Sequence, residues 1–299
     1  MKEPTRRART FRFVTIDVFT REPLAGNYLA VFTDARGLSD EQMQALARET
    51  RLPETTFVFP QAAAVEKQSG VKVRIFTVEE ELPFAGHPTL GTAFVLRGKK
   101  AATEIVLDLK VGKIPVRFHQ REGATFGEMK QRDPTFGSVH AAEDVARASG
   151  LKLDEIDTRW PIQTVSTGLP QAIVPVRSLA AIRGIQFEWP RAAEYLAKTD
   201  ARFFYFVTRE TEDRNCTLHA RMLFYGGEDP ATGSAGGNTV SWMVEHGIIA
   251  PEEHAIIEQG LEMKRPSKIF VRAAKRNQRV CDVRVGGYAV EVMRGEVKV

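Results

Sequence analysis

The sequence predicts an α+β fold built from two similar half-domains. Strand-like runs of β-branched and aromatic residues alternate with helix signals in both halves. One half repeats the other at a fixed spacing. Hydrophobic residues make up 43% of 299 positions, which provides apolar material for two cores without disulfides or metal.

The elements follow in order along the chain. Residues 11–19 alternate apolar and polar, and residues 28–32 are a short apolar run, so both read as strands. Ser39 precedes a helical pattern over residues 41–51, with Gln42 three positions later, as in a capping box. Leu52-Pro53 stops that helix. Residues 55–59 and 71–78 are strands, and residues 88–96 a short helix ended near Gly98. Residues 105–109 and 114–118 flank Gly112 as a hairpin. The join between halves falls over residues 120–138, rich in glycine and charge and holding Pro134.

The second half repeats this order. A strand at 171–176 precedes a helix opened by Trp189-Pro190, with proline near the first helical position. Strands at 203–208 and 217–225 follow, then a helix at 235–245 ended by Gly247. Residues 268–272, 279–285 and 288–293 are late strands, the last two joined by a Gly286-Gly287 turn. A shift of 147 residues carries Arg74 onto Arg221, Glu81 onto Glu228, Pro83 onto Pro230, Gly86 onto Gly233 and Thr92 onto Thr239. Those are five identities in a gapless window of about twenty, where average residue usage gives about one. In both copies a strand runs into a proline-containing loop and then a helix.

Composition narrows the function classes. The net charge is +4 and the pI about 9.1, well short of a nucleic-acid-binding balance. The basic clusters Arg6, Arg7, Arg9 and Arg272, Lys275, Arg276, Arg279 lack interleaved aromatics for base stacking, and read as a frayed terminus and a solvated hairpin. Cys216 and Cys281 read as small core residues of a reducing cytoplasm, with no spacing for zinc or a disulfide framework. No apolar run reaches membrane-spanning length and no signal peptide pattern opens the chain, so a cytoplasmic protein is expected. No dinucleotide fingerprint, P-loop or metal-ligand spacing of histidines occurs, so no cofactor and no metal are expected.

The repeated loops carry the chemistry. They are Glu81-Leu-Pro-Phe-Ala-Gly86-His87-Pro88 and Glu228-Asp229-Pro230-Ala-Thr-Gly233-Ser234-Ala235. Each places glycine, then a polar residue, at a helix start. Glycine lets a ligand approach the backbone closely. The first N–H groups of a helix lack intrahelical partners and carry partial positive charge, so a carboxylate fits there without a cationic side chain. Two such ends facing each other make a cleft for a small carboxylic acid. Either loop alone would read as an ordinary turn with a plain N-cap at Ser234.

Gly86-His87-Pro88-Thr89-Leu90-Gly91, the run from Glu228 to Ala235, and Glu54-Thr55-Thr56-Phe57 resemble the signature segments of the PhzF family, the phenazine biosynthesis-like isomerases. Asp17-Val18-Phe19 with Gly26-Asn27, Arg74-Ile75-Phe76-Thr77, Thr167-Gly168-Leu169-Pro170, and Gln259-Gly260 with Arg265-Pro266-Ser267 also look familial. The resemblance runs from about residue 11 to the C-terminus. It departs at Tyr28, where the family usually has proline, and at Val78, where it often does.

The resemblance implies a diaminopimelate epimerase-like fold, each half a mixed, barrel-like sheet around a central helix, here starting at His87 and at Ser234. The implied halves are residues 1–127, with or without the last strand at 288–299, and residues 128–287. The implied acid/base is Glu54, at the start of a buried strand where desolvation raises a carboxyl pKa. His87 and Asp229 would hold polar groups of the substrate. Ser234 and the N–H groups of Gly86, His87, Gly233 and Ser234 would hold its carboxylate. Related epimerases carry a cysteine at each helix start, where this chain has His87 and Ser234. Phe203 falls near the place matching Glu54, so only one half would supply an acid/base. The implied enzyme is a cofactor-independent isomerase that shifts a proton and a double bond within a small acid, and the implied assembly a homodimer. Two alternatives stand beside it: an amino-acid epimerase or racemase using Glu54 and His87, and a non-catalytic metabolite-binding or interaction protein.

Overall fold

A computed structural model describes residues 9–98, 101–225 and 227–299. Arg6 and Arg7 of the N-terminal basic cluster lie outside the described residues. Arg9 is not frayed: its guanidinium donates to the carbonyls of Arg36 and Gly37 and lies over the Phe11 ring.

The first half contains β1 (Thr10–Val18), β2 (Asn27–Phe32), α1 (Asp40–Thr50), β3 (Glu54–Phe59), α2 (Ala63–Ser69), β4 (Val71–Phe76), β5 (Glu81–Leu82), α3 (Gly86–Arg97), β6 (Glu104–Leu109), β7 (Gly112–Arg121) and β8 (Ala124–Lys130). The second contains β9 (Thr135–His140), α4 (Ala142–Ser149), β10 (Ile162–Ser166), β11 (Gln171–Pro175), α5 (Leu179–Arg183), α6 (Trp189–Leu196), β12 (Phe203–Thr208), β13 (Leu218–Phe224), β14 (Gly227–Asp229), α7 (Gly233–Glu245), β15 (Ala255–Gln259), β16 (Ser267–Arg276) and β17 (Arg279–Gly287). The last strand, β18 (Ala289–Lys298), returns to the first half and pairs antiparallel with β1. The Ser39–Gln42 capping box opens α1 as the sequence predicts.

Strand pairing runs β18-β1-β2-β3-β4-β6-β7-β8 in one half and β9-β10-β11-β12-β13-β15-β16-β17 in the other. Each half is mixed in the same way. The pairs β2–β3 and β4–β6 are parallel, as are their counterparts β11–β12 and β13–β15. The halves meet through antiparallel pairing of β8 with β17. Within residues 120–138, where the join is expected, β8 is bonded on both sides and β9 pairs with β10, and the chain passes from one half to the other over residues 131–134.

Register reproduces the 147-residue repeat. Ile75 faces Leu82 and Phe76 faces Glu81; Met222 faces Asp229 and Leu223 faces Glu228. Arg74 grips Glu81 through Nε (2.8 Å) and Nη2 (2.8 Å), and Arg221 grips Glu228 in the same way (2.9 and 2.8 Å). These bidentate pairs shape the loops that enter the two central helices.

Both central helices are wrapped by sheet. Residues Gly86–Ala93 of α3 and Gly233–Val244 of α7 are all buried, which a surface helix with one apolar face would not be. Small residues make the wrapping possible: a Cβ on Gly237 would collide with the Gln131 side-chain amide, and one on Gly91 would lie 2.7 Å from Val18. The main core joins α3 and α7 with the inward faces of both sheets, including Val18, Leu29, Ile75, Leu90, Val165, Tyr205, Trp242 and Ile257. Separate outer cores lie under α4–α6 and under α1.

One expectation about the late strands is corrected. Gly286-Gly287 is not a turn to β18. Both glycines lie inside β17, paired with Glu128 and Gly127 of β8. Their missing side chains admit neighbouring rings, since a Cβ would lie 2.7 Å from Phe126 at Gly286 and 2.7 Å from Phe19 at Gly287. The hairpin in this region falls instead at Asn277 and Gln278, both in left-handed conformation, with Arg276 and Arg279 flanking it. No helix of the described residues is long and apolar enough to cross a membrane.

Candidate active site

The two central helices begin one residue earlier than expected, at Gly86 and Gly233, with Ala85 and Thr232 as N-caps. Ser234 is therefore inside the helix rather than its cap. Neither N-cap side chain satisfies its helix, so the first N–H groups are left for another acceptor. The helix starts touch. A Cβ on Gly86 would stand 3.0 Å from the Gly233 backbone, and one on Gly233 3.4 Å from Gly86 Cα. Glycine at 86 allows that approach, and glycine at 233 also clears the Phe19 ring, which a Cβ would meet at 3.0 Å.

Glu54 is the first residue of β3. Alternation along the strand decides where it points. Thr56, two residues on, reaches α3 through a 2.8 Å contact with the Thr92 hydroxyl, so Glu54 faces the start of the same helix. Its Oε2 stands 3.3 Å from His87 Nε2. Both atoms are buried, and neither makes a hydrogen bond. One edge of Glu54 stays open, its side chain being 16% exposed.

Asn27, at the start of β2, ties these groups together. Its amide nitrogen donates to Asp229 Oδ1 (2.7 Å) and to the Ala231 carbonyl (2.9 Å), and lies 3.0 Å from His87 Nδ1. Acceptors on all sides fix that end of the amide as nitrogen. The amide has two hydrogens for three acceptors and no free lone pair, so a proton on Nδ1 would face those hydrogens; the arrangement favours the tautomer that carries its proton on Nε2, toward Glu54. Asn27 is fully buried and its Oδ1 has no partner. Asp229 Oδ2 accepts from the Thr232 hydroxyl (2.7 Å), and Gln259, held by Tyr205, donates to the Asp229 carbonyl.

Burial sets the electrostatics. It pushes the Glu54 carboxyl up to about 8, with the Asp229 charge adding to it. It pushes Asp229 up to about 6 against the hydrogen bonds from Thr232 and Asn27. It pushes His87 down to about 3, so the imidazole stays neutral at any ordinary pH. A group near 8 can both lose and regain a proton under mild conditions.

The structure brings Glu54, His87 and Asp229 together and sets Gly86 against Gly233. Ser234, one residue beyond Gly233, has its hydroxyl 3.3 Å from Gln171 Nε2. Phe203 holds the matching place to Glu54. Arg74 faces Phe57 and Arg221 faces Phe206, so three residues upstream Glu54 aligns with Phe203. Cys216 and Cys281 lie in the segment before β13 and in β17, away from both helix starts, and burial pushes the Cys216 thiol up to about 12. The remaining buried histidines are engaged elsewhere: His140 with Tyr195 and Thr164, and His219 between Glu258 and Glu262. Among the described residues no group of three His, Cys, Asp or Glu side chains is arranged to hold a metal ion. An open groove of about 270 Å³ lined by Lys72, Arg74, Glu81 and Lys110 contains none of the site residues. Sequence reasoning missed the role of Asn27. Its only signal was the Gly26-Asn27 pair after the first strand.

Residues 16–295 match the family model described as phenazine biosynthesis-like protein. An uncharacterized isomerase of Mesorhizobium japonicum is 35% identical over 97% of this chain and 99% of its own length. The trans-2,3-dihydro-3-hydroxyanthranilate isomerase of Pseudomonas aeruginosa is 32% identical over 95% of this chain and 98% of its own. A Bacillus anthracis protein of the PhzF family superposes with a TM-score of 0.86 at 28% identity, covering 97% of this chain and all of that one. A hydroxyproline epimerase from Agrobacterium vitis, at 12% identity and TM-score 0.64 over 97% of this chain and 93% of that one, shares the fold.

Proposed function

The chain belongs to the phenazine biosynthesis-like (PhzF) family, and on that footing we propose that it is an isomerase in which Glu54 carries a proton between two carbons of a small carboxylic acid. The ionised carboxylate takes a proton from one carbon. The C–H electron pair becomes a new double bond as the old one shifts, and Glu54 returns the proton to the far carbon. Product and substrate are isomers, so no electrons or atoms are gained or lost. The substrate carboxylate lies at the edge of the contact between the helix starts, on the N–H groups of Gly86, His87, Gly233 and Ser234. His87 donates from Nε2, and Asp229 accepts from a polar group of the substrate. The substrate class is a small cyclic amino acid, of which trans-2,3-dihydro-3-hydroxyanthranilate, named for the Pseudomonas relative, is the example.

The observation that supports this most is the Glu54 carboxyl itself: one oxygen buried and unpartnered beside a neutral histidine, the side chain open at one edge, and the group raised to about 8. An unpaired buried carboxyl costs stability, and functional sites are where such costs are kept. The side-by-side placement of Glu54 and His87 speaks against a two-base racemase. Such an enzyme needs its groups on opposite faces of one carbon, whereas these stand 3.3 Å apart. The helix start facing His87 offers Ser234, a hydroxyl that does not ionise near neutral pH.

The test is incubation of the wild-type protein in D2O with trans-2,3-dihydro-3-hydroxyanthranilate and other small cyclic amino acids, read by mass spectrometry. Deuterium bound to carbon in product or recovered substrate is the expected result. Ligand-induced thermal shifts without carbon-bound deuterium would overturn it in favour of a binding protein.

A further inference from the structure

Two loops break the internal repeat, and they meet. Residues 19–26 join β1 to β2, where the matching connection is only residues 167–170. Residues 260–266 join β15 to β16, where the match is only residues 110–111. The second-half loop lies on the first-half loop. Gly26 N donates to the Pro266 carbonyl (3.1 Å), and Lys268 N to the Phe19 carbonyl (2.8 Å).

Arg265 clamps the contact. Its Nε donates to the Gly26 carbonyl (2.8 Å), and its Nη2 to the Ala25 carbonyl (2.8 Å) and to Asp17 Oδ1 (2.7 Å). The guanidinium plane lies 4.4 Å from the Tyr28 ring centroid. Asp17 is itself buried, and its other oxygen accepts from Leu24 N (2.7 Å). The next residue after the clamped carbonyls is Asn27, whose single amide reaches both His87 and Asp229. The second half also meets Asn27 directly through the Ala231 carbonyl, and Ser267 Oγ donates to the Pro230 carbonyl beside it. A planar fork with several fixed donors can hold carbonyls on two adjacent residues as lysine cannot.

We propose that Arg265 is a positioning residue: by clamping the Ala25-Gly26 backbone it fixes the Asn27 amide, and through it the tautomer and orientation of His87. The clamp is one-sided. Arg265 pins the loop carrying Asn27 from the other half, whereas the matching loop at residues 167–170 is held from within its own half by Asn238 and by the Arg202 N–H, and it is the helix start beside Glu54 that has a histidine to orient. The proposal rests on the isomerase reading for its catalytic consequence, but its structural core does not.

The test therefore begins without substrate, by 15N NMR of histidine-labelled protein, with the His87 signals assigned from Asn27→Ala and His87→Asn. Wild type should show one neutral tautomer, Nδ1 pyridine-like and Nε2 pyrrole-like. Arg265→Met should mix the tautomers as Asn27→Ala does, while Arg272→Met, which breaks ion pairs to Glu128 and Glu252, should leave them alone. Arg265→Lys keeps a cation for Asp17 and should shift the balance partway. It also carries the test if the methionine variant does not fold. An unchanged His87 spectrum in a folded Arg265 variant, or an equal change in Arg272→Met, overturns the proposal. With a turnover assay in hand, Arg265→Met should lower kcat about 10- to 100-fold with KM nearly unchanged. A rise in KM alone would contradict the positioning role. Failure of the isomerase reading would remove the assay and leave the spectra to decide.

Discussion

The corner at the start of α3 and the matching corner at the start of α7 share a backbone plan and differ in what they leave unpaired. At α3, Glu54 Oε2, His87 Nε2 and Asn27 Oδ1 are buried without hydrogen bonds. At α7, Thr239 Oγ1 is buried without a partner in the second turn, while the polar side chains at the helix start bond to one another. Gln131 donates to the Gly233 carbonyl, the Thr167 hydroxyl to Gln131 and its N–H to Asn238, Asn238 to Leu169 and Gln171, and Gln171 to Ser234. Phe203, in the place of Glu54, packs with Trp189, Phe224 and Tyr225. Duplication thus supplied two helix ends fit for an anion. Divergence left the corner at α7 more fully bonded and the one at α3 with more buried unpaired polar atoms, and on the isomerase reading the less satisfied corner is where chemistry is expected.

The largest effect should come from removing the carboxyl at that corner. Glu54→Gln should lower turnover at least about 1000-fold, the range of a lost acid/base. It should also alter the pH dependence of stability. The carboxyl is raised from an ordinary 4.5 to about 8, so the folded state keeps its proton in that window while the unfolded chain has lost it. The stabilisation is full below pH 4.5 and drains away as pH rises through 8. Glutamine cannot ionise, so thermal melts should favour the variant more at pH 9 than at pH 5, by on the order of 1–3 kcal/mol.

The repeated ion pairs allow the next comparison. Arg221 and Glu228 are 12% and 11% exposed, against 22% and 23% for Arg74 and Glu81. Arg221 also donates to the Ile182 and Arg183 carbonyls. In denaturant titrations Arg221→Met should cost about 3 kcal/mol, as breaking a buried pair does. Arg74→Met should cost about 1 kcal/mol. Equal losses would mean that the two scaffolds are energetically as alike as their registers.

The smallest effect is expected at Phe203. Phe203→Leu should cost about 1 kcal/mol of stability by loosened packing and change kcat by less than about threefold. A loss on the scale of Glu54→Gln would show that both corners take part in the chemistry.

What the sequence made legible was local. Gly86-His87-Pro88 and the run from Asp229 to Ser234 each place glycine and a polar residue within one turn of a helix start, and the repeat showed that they correspond. Glu54 was reached only by family resemblance, because nothing in Leu52-Pro53-Glu54 separates a buried carboxyl from a solvated one. Asn27 and Arg265 act across 60 to 240 residues of chain, through contacts that no local pattern encodes. Gly286-Gly287 misled for a related reason. Glycine there serves close packing of Phe126 and Phe19 rather than a bend, and sequence does not distinguish the two uses.

The most direct test of a single carboxyl shuttle is label transfer. A substrate deuterated at the carbon that loses its proton is converted in H2O under single-turnover conditions. Wild type should deliver part of that deuterium to the receiving carbon, because the same group takes and returns it, and Glu54→Gln should form no product. Product from Glu54→Gln at the wild-type rate, or wild-type product whose receiving carbon carries only solvent hydrogen, would contradict the account.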